Sequence, residues 1–154
     1  MQILGQLEPA HNLKSLLNLF TLEAFFAMLA GNYNMTCQQG STFSRTIEIE
    51  QPDLIADPTG ETFVPFDLSG YTARMQVRRT IDSSNFLLEL TTGNGGLTIN
   101  PIEGDMNKIV IFASASVTAS VSTSGVYDIE IISADNTVSR VLQGVFNLSP
   151  EVTR

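Results

Sequence analysis

In YTARMQVR, residues 71–78, apolar and polar positions alternate: Tyr71, Ala73, Met75 and Val77 point one way, Thr72, Arg74, Gln76 and Arg78 the other. A period of two is that of a half-buried β-strand. From about residue 42 onward the chain repeats the theme in short runs rich in Val, Ile, Thr, Phe and Tyr. They are RTIEIE, FLLEL (86–90), GLTI (96–99), KIVIFA (108–113), VYDIEII and TVSRVLQGVFNLS (137–149). TTGNGG and SADNT separate them as turns, the second with Asp135–Asn136 at its tip. Strands of this number and spacing predict an all-β fold, an antiparallel β-sandwich. SVTASVSTSGVYD adds a finer cue: a short turn, then Gly125 and Tyr127 at a strand start. Ig-like sandwiches place a tyrosine corner there, so the Tyr127 hydroxyl is expected to bond backbone a few residues upstream.

Before this region the periodicity changes. Residues 11–30, HNLKSLLNLFTLEAFFAMLA, contain no Gly, Pro or Val and are dominated by Leu, Ala and Met, which predicts an α-helix, with Gly31 as its stop signal. His11, Lys14, Ser15, Asn18 and Thr21 share one stripe, but its continuation is Leu22, Phe25, Phe26 and Leu29. A helix apolar all round must be buried. Two places remain open, its own β-domain or a neighbouring subunit, and Met35 offers an alternative start that would make residues 1–34 an upstream extension. A membrane span is not expected, since the apolar stretch is short and carries Lys14, Asn18 and Glu23. A secretory signal is not expected either: Glu8 precedes Lys14, and no clean A-x-A site follows. The chain thus divides into an N-terminal helical appendage and linker, 1–37, and a β-sandwich domain, 38–154.

Length and charge narrow the partners. A chain of 154 residues can bury a core without staples, and the single cysteine, Cys37, forms no internal disulfide. Eight Lys and Arg against sixteen Asp and Glu, a net −8, argue against binding nucleic acid through its phosphates. Yet three of the eight basic residues, Arg74, Arg78 and Arg79, crowd into one segment. The strand period accounts for two of them on a solvated face, with Arg79 starting the turn. Cross-strand pairing predicts acidic partners, either Glu48 and Glu50 of RTIEIE or Asp128 and Glu130 of VYDIEII.

No catalytic residue, metal site or cofactor is expected. One His and one Cys fall short of a zinc set, and a Cys37–His11 pair has no orienting acid. Glu89 in LLELT is a weak glycosidase candidate, because such a Glu more often points outward from its strand. TGNGG lacks the Lys-Ser/Thr of a P-loop. IADPTGE and EGDMN offer carboxylates to calcium, but without EF-hand spacing.

QGSTFSRTIEI, PFDLSGYTARMQVRRT, LLELTTGNGGLTI, GVYDIEI and VSRVLQGVFNLSPEVTR, in this order over about residues 38–154, resemble a set of small tailed-phage and prophage proteins similar to the N-terminal domain of phage baseplate upper proteins. The resemblance implies an Ig-like sandwich in the virion, assembled in the host cytoplasm. The function it implies is that of a non-enzymatic tail, baseplate or fibre-attachment adaptor. A capsid decoration protein and a receptor- or carbohydrate-binding module are the alternatives. The expected partners are other virion structural proteins and further copies of the chain in a homo-oligomer or symmetric ring, with no nucleic acid and no membrane. DLSGY is expected to be a turn feeding a strand, LTTGNGG a hairpin connection, and SPEVTR a strand exit with a short tail. The family begins near QGSTF, so the extra helix marks what this chain does differently. Leu16, Phe20, Phe25, Phe26 and Leu29 are its candidate partner-binding surface.

Overall fold

The computed structural model describes residues 30–153. The helix read over 11–30, with Leu16, Phe20, Phe25, Phe26 and Leu29, lies outside that range except for Ala30. Among the described residues the fold is all-β. The strands are β1 (Gly31–Asn32), β2 (Met35–Gln38), β3 (Phe43–Glu48), β4 (Glu50–Pro52), β5 (Phe63–Pro65), β6 (Thr72–Arg78), β7 (Phe86–Thr91), β8 (Leu97–Ile99), β9 (Lys108–Ala113), β10 (Gly125–Ile132) and β11 (Val138–Ser149). One short helix, α1 (Ala115–Ala119), precedes β10.

The larger sheet runs β1-β11-β10-β6-β7, with β2 also pairing with β11, and the smaller runs β3-β9-β8. The β4–β5 hairpin stands apart. Pairing is antiparallel except that β1 and β2 lie parallel to β11. Alternation explains why the sheets share one core. Ala73, Met75 and Val77 of β6 are buried, as are Tyr127, Ile129 and Ile131 of β10, and so are Ile109, Ile111 and Ala113 of β9. Phe146 of β11 meets Phe43 of β3 edge to face at 5.7 Å between ring centroids, joining the two sheets.

β-Structure begins before residue 38. Residues 31–37, read as linker, carry β1 and most of β2, and Met35 and Cys37 are buried in the core. TTGNGG is not a hairpin. It connects β7 and β8, which belong to different sheets, so it turns the chain from one sheet into the other. Its corner is closed by Asn94, whose Oδ1 accepts the amides of Thr91 (2.8 Å) and Gly96 (2.9 Å). SADNT does form the β10–β11 hairpin, with Asn136 left-handed at φ 66°. DLSGY turns as expected: Asp67 Oδ1 accepts the Ser69 amide at 2.8 Å, Gly70 takes φ 78°, and Tyr71 stacks edge-on against Phe66. SVTASV is more than a turn, forming α1 behind the Ser114 cap. After β11, Glu151 folds back, its amide donating to Gln39 Oε1 and its carboxylate lying where Gly40 has no side chain.

Candidate functional site

The outward residues of the larger sheet form an open depression of about 700 Å³ whose lining includes Asn32, Arg74, Gln76, Asp128, Arg140 and Gln143. Register orders them in rows. Arg140 of β11 lies beside Glu130 of β10, which faces Arg74 of β6, which faces Thr91 of β7. In the next row Gln143 pairs with Asp128, Asp128 with Gln76 and Gln76 with Glu89. The third row is more apolar: Val145, Val126, Arg78 and Phe86. A bulge between Ile129 and Glu130 shifts β11 by one residue beyond Arg140, so that Gln143 and Val145 face Asp128 and Val126.

Hydrogen bonds run across these strands. Arg74 donates to Glu130 Oε2 at 2.6 Å, Arg140 sits 3.2 Å from Asp128, and Gln76 Nε2 donates to Glu89 at 2.5 Å. Of the two acidic sources expected for the arginines, the β10 strand supplies Arg74. Glu48 lies opposite Lys108 in the smaller sheet, and Glu50 is in the β4–β5 hairpin. Among the described residues Arg78 pairs with no carboxylate. It stands at a bulge at the end of β6, so its guanidinium reaches the turn beyond, donating to the carbonyls of Ser83 (2.5 Å) and Ser84 (2.8 Å) and to Gln76 Oε1. The face therefore carries Arg74, Arg78 and Arg140 against Glu89, Asp128 and Glu130, locally neutral in a chain of net −8. At its third-row end Ile81 is 86% and Phe86 52% exposed.

The tyrosine corner takes a different form from the expected one. Tyr127 Oη donates at 2.6 Å to the carbonyl of Tyr33, between β1 and β2, not to backbone just upstream. The cause is Gly144, which pairs with Tyr127 in the ladder. A Cβ there would land on the Tyr33 carbonyl oxygen, so only glycine lets the first segment close in within reach of the phenol. Burial pushes Tyr127 up to about 12, and neighbouring Tyr33 adds to the rise.

The other chemical candidates have structural partners. Burial raises the Cys37 thiol, against a smaller opposing pull from Arg45, which disfavours the thiolate a nucleophile needs. Asp57, in IADPTGE, is held down to about 2, first by the Thr59 hydroxyl, with the Thr59 amide and both Thr62 donors adding to it. Its oxygens also accept the Glu61 amide, so they organise the β4–β5 loop. In EGDMN, Asp105 accepts from Lys108 Nζ at 2.8 Å, which lowers its pKa. Among the described residues no three His, Cys, Asp or Glu side chains gather to hold a metal, and no helix is long and apolar enough to cross a membrane. Glu89 points outward, onto the polar face. In TTGNGG, Asn94 takes up the amides of Thr91 and Gly96 that a phosphate would need. His11 lies outside the described residues.

No protein-family model matches the chain, and no curated protein matches it. The site therefore rests on its own geometry. Sequence reasoning found Arg74, Asp128 and Glu130 but missed Arg140, Gln143 and Asn32. Counting back from the Asp135–Asn136 tip would have put Arg140 opposite Glu130, but the bulge beyond it, which seats Gln143 beside Asp128, is placed only by the register.

Proposed function

We propose that the chain is a non-enzymatic structural subunit of a tailed-phage virion, an adaptor of the tail, baseplate or fibre attachment, built on an Ig-like sandwich. The strand order supports the Ig-like reading. Taken in chain order, the first strands lie beside the last, followed by β10, β6 and β7, and the opposing sheet is β3, β9 and β8. Lettered from A to G, these are an A-G-F-C-C′ sheet and a B-E-D sheet, the variable-type plan with its first strand moved next to the last. The segments that carry the phage resemblance sit at the DLSGY turn, the crossing between sheets and the β10–β11 hairpin.

The observation that carries an assembly role is the larger sheet's outer face. It presents six charged side chains in register across four strands, beside an exposed apolar end. Such a surface suits recognition of a protein neighbour better than chemistry on a small substrate. Leu16, Phe20, Phe25, Phe26 and Leu29 remain the proposed second anchor, on their sequence pattern alone.

The test is quantitative mass spectrometry of purified virions, taking the ratio of this chain to the major capsid protein. A ratio at the level of tail components is expected, since an adaptor follows the tail's rotational symmetry. A ratio approaching that of the capsid protein replaces the adaptor with a decoration protein, and absence from the particle overturns both.

A further inference from the structure

We infer that the outer face of the β11-β10-β6-β7 sheet is a twofold interface between two copies of this chain. The signs alternate by strand: Arg140 on β11, Asp128 and Glu130 on β10, Arg74 and Arg78 on β6, Glu89 on β7. A pattern of plus, minus, plus, minus is antisymmetric about the line between β10 and β6. A twofold axis parallel to the strands along that line exchanges β10 with β6 and β11 with β7. Arg74 of each copy then faces Glu130 of the other, and Arg140 faces the strand bearing Glu89. At the centre two arginines and two glutamates alternate around a ring, so each guanidinium lies between two carboxylates.

The same operation brings the third rows together, with Val145 of one copy over Phe86 of the other. Both are exposed in the single chain, at 40% and 52%. The alternative in-plane twofold, at right angles to the strands, lays β10 on β10, carboxylate on carboxylate, and is repulsive. One orientation thus satisfies charge and apolar surface at once, as an isologous interface requires. Elsewhere two chains of net −8 repel, and the locally neutral face is where they can meet. The pairing is independent of whether the chain belongs to a virion.

Sedimentation equilibrium of the full chain, carried to hundreds of micromolar, should show the mass doubling. Arg74→Glu and Glu130→Arg, each alone, should stay monomeric, because all four central charges then have one sign. An equimolar mixture of the two variants should recover the dimer, since each like-charged face meets its opposite. Phe86→Asp, outside the ion pairs, should also abolish the dimer. A wild-type chain that stays monomeric overturns the inference and leaves the face to a different subunit. So does a dimer indifferent to Phe86→Asp, or a mixture that stays monomeric when both variants melt cooperatively.

Discussion

The two sheets bury their inner faces by the same alternation but treat their outer faces differently. On β3, β9 and β8 the outward positions are mostly Ser44, Thr46, Thr98, Val110 and Phe112, with the Glu48 and Lys108 neighbours at one end. On β11, β10, β6 and β7 three arginines and three carboxylates share the outward rows with Gln76, Gln143, Thr91, Val126, Val145 and Phe86. Both arrangements satisfy a half-buried strand, for which hydroxyls and β-branched side chains are sufficient. The charge on the larger sheet therefore exceeds what folding demands. Arg78 of that set holds the turn through the Ser83 and Ser84 carbonyls, so the excess lies in Arg74, Arg140 and their carboxylates, and the proposed recognition rests on these.

If the inner faces carry the stability and these outer charges the recognition, the largest effect belongs where the sheets meet. Phe146 is fully buried and its ring joins Phe43 across the core. Phe146→Ala should cost about 3–5 kcal/mol by removing apolar contact and leaving a cavity beneath both sheets. Urea unfolding should show a lower midpoint at an unchanged slope. A loss below about 1 kcal/mol would mean that the sheets are not held by a common core.

Next comes a defect confined to the larger sheet. Gly144→Ala drives a methyl group into the Tyr33 carbonyl, a backbone atom that cannot rotate away. Displacement of the β1–β2 segment should cost about 1–3 kcal/mol. Amide exchange should rise first in β1 and β2, while β3 and β9 stay protected. Equal loss of protection in both sheets would break the distinction between them.

The hydroxyl behind that glycine gives a smaller effect. Tyr127→Phe leaves the Tyr33 carbonyl without its 2.6 Å donor and should cost about 1–2 kcal/mol. It also has a pH signature. The folded pKa, about 12, stands above the ordinary 10.0, so the folded state holds this proton more tightly than the unfolded chain does. The associated stability is fully present below pH 10 and is lost as pH rises through about 12. Phenolate absorbance in the wild type should therefore include a late step that Tyr127→Phe removes. A loss of absorbance taken from the ordinary range near 10.0, not from the late step, would mean that the phenol is not held in this bond.

What could be read in advance follows the same division. The inner layer was legible because period two directly marks Ala73, Met75 and Val77, and Lys108–Ala113 formed a strand with the bounds its pattern gave. Pairing between distant strands was not. LTTGNGG looks like a hairpin, yet whether two strands joined by a tight turn pair with one another depends on what else each can pair with. Here β7 pairs with β6 and β8 with β9. Gly31 and Asn32 are too few to show a period, and Met35 and Cys37 alternate over only four residues. Gly144 did leave a signal, since a glycine within the long run TVSRVLQGVFNLS marks a close backbone approach. What approaches it could be known only from the register.

The smallest effect is the most informative about the outer layer. Replacing Arg74 and Glu130 together by threonine gives the larger sheet the chemistry that the smaller sheet already carries at Thr46 and Thr98. Each ion pair is solvent-facing, with Arg74 about half exposed at 52%, so it contributes on the order of 0.2–1 kcal/mol. Threonine's preference for strands offsets part of even that. The double variant should unfold within about 0.5 kcal/mol of the wild type in urea. If the self-pairing holds, it should nevertheless sediment as a monomer. A midpoint unchanged with the dimer lost would divide the molecule along the line drawn between the sheets' inner and outer faces. A loss of several kcal/mol would make Arg74 and Glu130 part of what holds the sheet together, and the charge pattern would then need no partner to explain it.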